Sequence, residues 1–313
     1  MNRFSAPRSI DEYLKQLRAA REGEDPSLIQ DALYDAEEYL RAEVAAHPGK
    51  SEADVLELIA STYGAPDEVA TAYRDTEVKV KAALRTPPPR RAENPSGTRR
   101  FFGIFLDARA YTSLFYMLLT LATGILYFVL VVVGVSLSAG LAILIIGVPF
   151  FLVFISITRV VSLGEGRLIE AITGERMPRR PVHPGPPGGW GARIRAMLSD
   201  ARTWTTLLYF VLMLPLGICY FVIATVGLSI GGNLVLAPFA VMGNALGWFG
   251  RDSGFTPFAL GNHWVMLSGG SWLLSIFMFV IGVFVLTLLM HVARGIGRGH
   301  ARLAKALLVE PGA

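Results

Sequence analysis

Apolar positions follow two different patterns along the chain. Between residues 9 and 85 they recur at helical spacing among charged residues, which is typical of a small soluble helical domain. Three later stretches contain no Asp, Glu, Lys or Arg: 110–158, 203–250 and 264–290. A bilayer span needs about 20 apolar residues, so the first stretch is long enough for two crossings. The pattern therefore predicts four membrane spans.

Helix-start signals divide the N-terminal region into four short helices. Ser9 and Ser51 each have an acidic residue three positions later, the spacing of a capping box. Asp25 is followed by a proline, which suits an N-cap and the first helical position. A fourth helix is expected from about Asp67 toward Thr86. The charged face of the second helix offers candidate partner-binding residues: Asp35, Glu37, Glu38 and Arg41.

Two stretches of the membrane part repeat one another. Residues 106–129 read LDARAYTSLFYMLLTLATGILYFV, and residues 199–222 read SDARTWTTLLYFVLMLPLGICYFV. At an offset of 93, 16 of the 30 positions from 107 to 136 are identical. Farther along the offset is 135, with Arg159 matching Arg294. The second copy is therefore 42 residues longer, and the extra residues fall between the third and fourth spans.

These patterns predict an all-α fold, with a small N-terminal helical domain and a polytopic α-helical membrane domain of four spans in two duplicated hairpins. The expected divisions are 9–85 for the N-terminal domain, 86–99 for a Pro/Arg-rich linker, 100–177 for the first membrane repeat, 178–189 for a Pro/Gly-rich cytoplasmic linker, and 190–309 for the second repeat.

Basic residues mark one side of the predicted membrane part. They are concentrated before the first span, between the second and third spans, and after Met290, whereas the turn between the first two spans is uncharged. The positive-inside rule then places both termini and the central loop in the cytoplasm, with the protein in the cytoplasmic membrane. No apolar h-region follows the start, so no cleavable signal peptide is expected. Membrane lipids are expected partners, and homo-oligomerisation stays open.

The membrane part contains two groups of candidate functional residues. Each copy begins with Asp-Ala-Arg, where the Asp suits an N-cap and the Arg, with a nearby aromatic ring, suits the lipid interface. These residues are Asp107, Arg109, Tyr111, Asp200, Arg202 and Trp204. The longer outer segment of the second copy holds the candidate ligand-sensing residues Trp248, Arg251, Asp252, Phe255, Asn262, His263 and Trp264. Interfacial anchoring by the two tryptophans is the alternative role.

Residues 233–249 are uncharged but contain proline, glycine and asparagine. We expect an interfacial or re-entrant segment on the outer side, with a fifth span as the alternative.

Known catalytic and cofactor motifs are missing from the sequence. There is no GxSxG, HExxH or P-loop pattern, the five histidines are scattered, and the single cysteine, Cys219, lies in an apolar run. We therefore expect no enzymatic activity, no cofactor and no metal site. The acidic N-terminal region argues against direct nucleic-acid binding. Transport would be indicated by ionisable residues inside the spans, and the predicted span centres contain none.

Several phrases resemble two known modules. IDEYLKQLRAA, DALYDAEEYLRAEV and SEADVLELIASTYGAPDEVATAY resemble the HTH-associated α-helical signalling domain, HAAS. The duplicated membrane part, with LPLGICYFV and ARGIGRGHARLAKALL, resembles the actinobacterial-type Sensor transmembrane domain. The HAAS resemblance implies a cytoplasmic PadR-like transcription regulator as partner. Sensor domains often precede a histidine kinase, but no kinase is expected after Lys305.

Together the resemblances imply a non-enzymatic bacterial membrane protein that relays an envelope or membrane stimulus to such a regulator. A small-solute transporter or channel component is the alternative function.

Overall fold

The computed structural model of the chain describes residues 6–84, 97–143, 147–178, 195, 198–248, 259–260, 263–264 and 272–309. Within these residues the fold is all-α, as predicted, apart from one pair of two-residue strands. These strands are β1, Ala259–Leu260, and β2, His263–Trp264, and they pair antiparallel.

Four short helices form the N-terminal part: α1 (Ile10–Ala20), α2 (Pro26–Ala46), α3 (Glu52–Ala60) and α4 (Pro66–Leu84). The predicted N-caps are confirmed, because the Ser9 hydroxyl and the Asp25 carboxylate each accept a first-turn N–H, and Ser51 and Asp54 form a reciprocal capping box. The box predicted at Ser9 is only half formed, since the Glu12 carboxylate accepts the Arg8 N–H. The apolar faces of the helices enclose one core: Ile10, Tyr13, Leu17, Ala36, Leu40, Val55, Leu56, Ile59, Val69 and Ala70.

Four long helices follow the short helix α5 (Gly97–Phe102) and a 3-10 turn, Gly103–Leu106. They are α6 (Ala108–Ala142), α7 (Gly147–Thr173), α8 (Ala201–Ala245) and α9 (Trp272–Leu308). Each is long and apolar enough to cross a membrane, which confirms the predicted number of spans for the described residues. Large apolar side chains such as Leu126, Val153 and Val280 are exposed on them, as a lipid-facing surface requires.

The helix boundaries show the same offsets as the sequence repeat. α6 and α8 start 93 residues apart, and α7 and α9 end 135 residues apart. α8 has 45 residues against 35 in α6, and α9 has 37 against 27 in α7. The connection between α8 and α9 is 26 residues long, against four between α6 and α7. The 42 extra residues are therefore divided between longer helices and a longer connection.

Residues 233–249 require a correction. The expectation of a re-entrant segment is wrong for its described part, because α8 continues unbroken through Pro238 to Ala245. An interfacial position of this part stays a prediction. The chain leaves the helix at Gly247, whose φ of 70° suits a residue without a side chain. In this extension Leu234, Ala237 and Val241 pack against Met278 of α9. The uncharged stretch is long because one extended helix packs against another.

Equivalent glycines let α6 and α8 approach closely. A Cβ on Gly124 would lie 2.5 Å from the Met213 carbonyl oxygen, and one on Gly217 would lie 2.5 Å from the Thr120 carbonyl oxygen. Gly124 corresponds to Gly217, and Thr120 to Met213, at the offset of 93. The contact is therefore reciprocal between the copies, and it uses the small residues that membrane helices need for close approach.

The chain divides into two compact units. One contains Met1–Glu93, Ser138–Leu207 and Ala304–Ala313, and the other contains Asn94–Leu137 and Leu208–Leu303. The N-terminal helices therefore belong to a unit that also includes α7, the start of α8 and the end of α9.

Candidate functional site

Asp107 and Asp200 cap the first helix of each copy. The Arg109 N–H donates to Asp107 Oδ1 at 3.1 Å, and the Arg202 N–H donates to Asp200 Oδ1 at 3.0 Å. Each carboxylate thereby satisfies a free N–H of the first turn and complements the positive end of the helix dipole.

The second oxygen of each carboxylate reaches an arginine of the other copy. Arg294 Nη1 lies 2.7 Å from Asp107 Oδ2, and Arg159 Nη2 lies 3.2 Å from Asp200 Oδ2. Arg159 and Arg294 are equivalent positions, so the two ion pairs are equivalent and crosswise. Partly exposed pairs contribute about 0.2–1 kcal/mol each, so their main effect is to fix which helix ends meet.

A buried tyrosine–histidine cluster also joins the copies. The hydroxyls of the equivalent residues Tyr116 and Tyr209 lie 2.7 Å and 3.0 Å from His300 Nε2. Tyr220 packs edge-on against the imidazole, with the ring centroids 5.8 Å apart. At the offset of 135, His300 takes the place of Glu165 in the first copy, and both side chains are 1% exposed. The duplicated position therefore holds an imidazole in one copy and a carboxyl group in the other.

The first turn of α2 contacts the end of α9. Asp25 Oδ1 accepts hydrogen bonds from the Ser27 N–H at 3.0 Å and the Ser27 hydroxyl at 2.6 Å, while Asp25 Oδ2 lies 2.6 Å from Lys305 Nζ. Burial by itself raises the pKa of Asp25, but the hydrogen bonds from Lys305 and Ser27 outweigh it and lower the pKa below its ordinary 3.8. The Asp25 carboxylate is therefore negatively charged at neutral pH.

The first two turns of α2 also contact the segment that follows α7. Arg176 Nη2 lies 3.6 Å from Asp31 Oδ2, and the Arg176 carbonyl oxygen lies 3.2 Å from the Ser27 hydroxyl. Ser27 is fully buried. Its single proton serves either Asp25 or Arg176 at one time, and the shorter distance favours Asp25. One end of α2 thus meets the last described segment of each copy.

The candidate partner-binding residues of α2 are divided among several environments. Glu37 pairs with Arg41 at 2.7 Å, so these two side chains satisfy each other. Asp35 lies near two tyrosines of the N-terminal core, and burial, followed by the Asp35 charge, raises the pKa of Tyr73. Glu38 is exposed. Their partner-binding role stays a prediction.

The candidate sensing residues lie mostly outside the described part of the chain. Arg251, Asp252, Phe255 and Asn262 are not among the described residues, and His263 and Trp264 are described only by the backbone of β2. The Trp248 side chain is 71% exposed beside the end of α8. A ligand-sensing role for these residues stays a prediction.

Interfacial residues of the Asp-Ala-Arg motifs differ between the copies. Tyr111 and Trp204 are both about half exposed, and the Trp204 indole N–H donates to the Leu198 carbonyl oxygen at 2.8 Å. Arg109 is exposed, whereas Arg202 is half-buried.

Sequence reasoning missed three groups that the structure brings together. It identified Asp107 and Asp200 as caps, and Arg159 and Arg294 as topogenic charges, without predicting that they pair. The matching of these four positions at two offsets was the available signal. The contacts of His300 and Lys305 were harder to predict. Both residues lie in a basic tail, and the positive-inside rule already accounts for its charge.

These residues form ion pairs and hydrogen bonds between helices. Among the described residues, no group of three or more His, Cys, Asp or Glu could hold a metal ion. The arrangement instead consists of interhelical contacts that can transmit a displacement of helix ends.

Comparison with known proteins identifies the membrane part. Residues 116–308 match the family model named Sensor and described as Putative sensor. No curated protein and no solved structure matches the chain. The match covers more than half of the chain and includes α7, α8, α9 and most of α6. The protein therefore belongs to the Sensor family.

Proposed function

We propose that this protein is a non-enzymatic membrane sensor whose N-terminal helices carry the output signal. The observation that supports the proposal is the meeting of α2 with both copies of the membrane repeat. Asp25 contacts Lys305 at the end of α9, and Asp31 contacts Arg176 beyond the end of α7. A relative shift of these two helix ends would therefore act on the N-terminal two turns of one helix.

The strength of the contact suits a reversible signal. Asp25, Lys305, Asp31 and Arg176 are each 14–31% exposed, so water screens both ion pairs partly. Pairs of this kind contribute about 0.2–1 kcal/mol, which a modest change in helix packing can offset. A stimulus shifts such an equilibrium only by favouring one arrangement, and the docked and released arrangements of α2 are our two states.

The proposed output is a protein contact. In this proposal the N-terminal helices act as a HAAS-like module, and their partner is a cytoplasmic PadR-like transcription regulator. By the positive-inside rule, the basic segments favour a cytoplasmic side for the N-terminal helices, the end of α7 and the end of α9. The proposed stimulus acts at the outer face or within the bilayer. The connection between α8 and α9, together with Trp248, is the proposed contact for it.

The experiment measures capture of a purified PadR-like regulator by the full-length chain in nanodiscs. Lys305→Gln removes the ion pair to Asp25 while leaving the α2 cap in place. We expect a change of at least about twofold in regulator capture, since loss of one such pair shifts the docking equilibrium by that order. Lys15→Gln is the matched control, because Lys15 is an exposed cation on α1.

Equal capture by wild type, Lys305→Gln and Lys15→Gln would contradict the proposed relay through this contact. No capture by any of the three would contradict the proposed partner.

A further inference from the structure

The two crosswise ion pairs have different surroundings. At Asp107–Arg294 the helices are tightly packed, because a Cβ on Gly297 would lie only 2.6 Å from the Ser113 hydroxyl oxygen. Ala110 and Ala293, which flank this pair, are fully buried. At Asp200–Arg159 the helices leave a small cleft that opens to solvent.

Polar side chains replace the small ones in the cleft. Thr203, Thr158 and Ser162 stand where the packed copy has Ala110, Ala293 and Gly297. The cleft lining consists of Ile155, Thr158, Arg159, Ser162, Leu163, Asp200, Arg202, Thr203 and Thr206. The lining contains two arginines and one aspartate, so its formal charge is positive. The hydrogen bond to Asp200 engages one of the five N–H donors of Arg159, which leaves capacity for an anion.

The cleft lies where the hydrophobic helices reach their charged ends. Thr158 is the last residue of the first uncharged stretch, and Thr203 is the first residue of the second. Exposed apolar side chains continue from the cleft: Val153, Ile157 and Val160 lie on α7, and Trp204 lies in the first turn of α8. A ligand with a phosphate at one end and acyl chains at the other matches a charged cleft that adjoins an exposed apolar surface. A small soluble anion would leave the apolar part uncovered.

We infer that the cleft between α7 and α8 binds the phosphate of an anionic phospholipid, with Arg159 and Arg202 as its cationic ligands. The acyl chains lie along the exposed apolar surfaces of the two helices. Basic pockets between membrane helices on the cytoplasmic side are suited to such headgroups. The packed Asp107–Arg294 copy does not bind a headgroup in this way, because Gly297 and Ser113 fill the corresponding space.

The test measures phosphatidylglycerol retained by the full-length protein. The protein is extracted into detergent from vesicles of phosphatidylcholine and phosphatidylglycerol, and bound lipids are counted by native mass spectrometry. Wild type is expected to retain phosphatidylglycerol in preference to phosphatidylcholine. Arg159→Gln and Arg202→Gln should each lower the apparent affinity about fivefold, the effect of one basic residue near an anionic surface.

The chain contains a matched control for Arg159. Arg294→Gln changes the equivalent position of the packed copy, and retention should stay at the wild-type level. Ser162→Phe fills the cleft without changing its charge and should also abolish preferential retention. Thermal unfolding in detergent verifies that each variant is folded, so that Ser162→Phe can decide the question if an arginine variant does not fold.

Two results would overturn the inference. One is equal phosphatidylglycerol retention by wild type and by folded Arg202→Gln and Ser162→Phe. The other is binding of inorganic phosphate in lipid-free detergent, with the same dependence on Arg159 and Arg202, by a protein that retains no phosphatidylglycerol. The second result would assign the cleft to a soluble anion.

Discussion

Around Asp107–Arg294 the neighbouring positions are Ala110, Ala293 and Gly297, whereas around Asp200–Arg159 they are Thr203, Thr158 and Ser162. Both surroundings accommodate the same crosswise ion pair, at 2.7 Å in one copy and 3.2 Å in the other. The pair therefore serves the assembly of the two copies, and its neighbours determine whether the helix ends are packed or open. What both copies retain relates to assembly, and what differs is where specific functions are expected.

The connected ends of the two hairpins extend this difference. Four residues join α6 to α7, whereas α8 and α9 are both longer and are joined by 26 residues. The longer helices pack against each other, because a Cβ on Gly282 would lie 2.7 Å from the Val235 backbone nitrogen. The second copy thus differs from the first in helix length, in helix packing and in the length of its connection.

The largest effect is expected where the copies are most alike. Gly124→Ala and Gly217→Ala each place a Cβ 2.5 Å from a backbone carbonyl oxygen that cannot move aside without separating α6 from α8. Each should destabilise the protein by about 1–3 kcal/mol, measured as thermal unfolding in detergent. Gly140→Ala, with nothing within 4 Å, should be neutral or slightly stabilising. Clearly unequal destabilisation by the two substitutions would contradict a reciprocal contact between α6 and α8.

Exchanging residues between the copies should have a smaller effect. Gly297→Ser introduces a side chain against the Ser113 hydroxyl, which already donates to the Arg109 carbonyl oxygen at 2.7 Å. We expect destabilisation by about 1 kcal/mol. The reverse exchange, Ser162→Gly, should cost about 0.5–1 kcal/mol through helix propensity alone, because it vacates a cleft. A Gly297→Ser protein as stable as wild type would show that the packed copy has unused space.

The ion pairs should give a smaller coupling still. A double-mutant cycle with Asp107→Asn and Arg294→Gln should show about 0.2–1 kcal/mol of coupling, and so should Asp200→Asn with Arg159→Gln. Asn preserves the helix cap, so the cycle isolates the charge pair. Thermal unfolding in low and high salt measures the coupling free energy, and salt should reduce it in both pairs. If the stability changes of the two substitutions were additive in both cycles, the result would contradict an interaction within each crosswise pair.

The pH dependence of α2 docking should be the smallest effect near neutrality. The pKa of Asp25 is lowered in the folded protein, so its contribution is fully present above the ordinary value of 3.8 and is lost as the pH falls through the lowered pKa. Amide exchange in α2 should therefore stay constant from neutral pH down to that value, after correction for intrinsic exchange. An increase well above pH 3.8 would mean that another group controls docking.

Much of the fold could be predicted from local chemistry. Ser9, Asp25 and Ser51 are side chains that cap helices through their own neighbours, so the starts of α1, α2 and α3 follow from a few consecutive residues. The four membrane helices follow from uncharged length alone. The continuation of α8 through Pro238 could not be predicted in this way, because its support comes from Met278 of α9.

The candidate site depended on pairing that local patterns do not contain. Asp107 and Arg294 are 187 positions apart in the chain, and each has an adequate local role as a cap or a topogenic charge. The duplication identified which residues are equivalent, but not whether copies pair within themselves or crosswise. Asp25 and Lys305 had no repeat to mark them, so only the folded chain brings them together.

Docking of α2 on the end of α9 is tested most directly by amide hydrogen exchange of residues 26–46 in the full-length protein in nanodiscs. Lys305→Glu places a negative charge beside Asp25, and it should increase exchange in the first turn of α2. In an Asp25→Asn background, which keeps the cap, the same change should have a much smaller effect. Lys15→Glu is the charge-matched control and should leave this turn unchanged. Equal exchange in wild type and Lys305→Glu would contradict the account, as would an undiminished effect of Lys305→Glu in the Asp25→Asn protein.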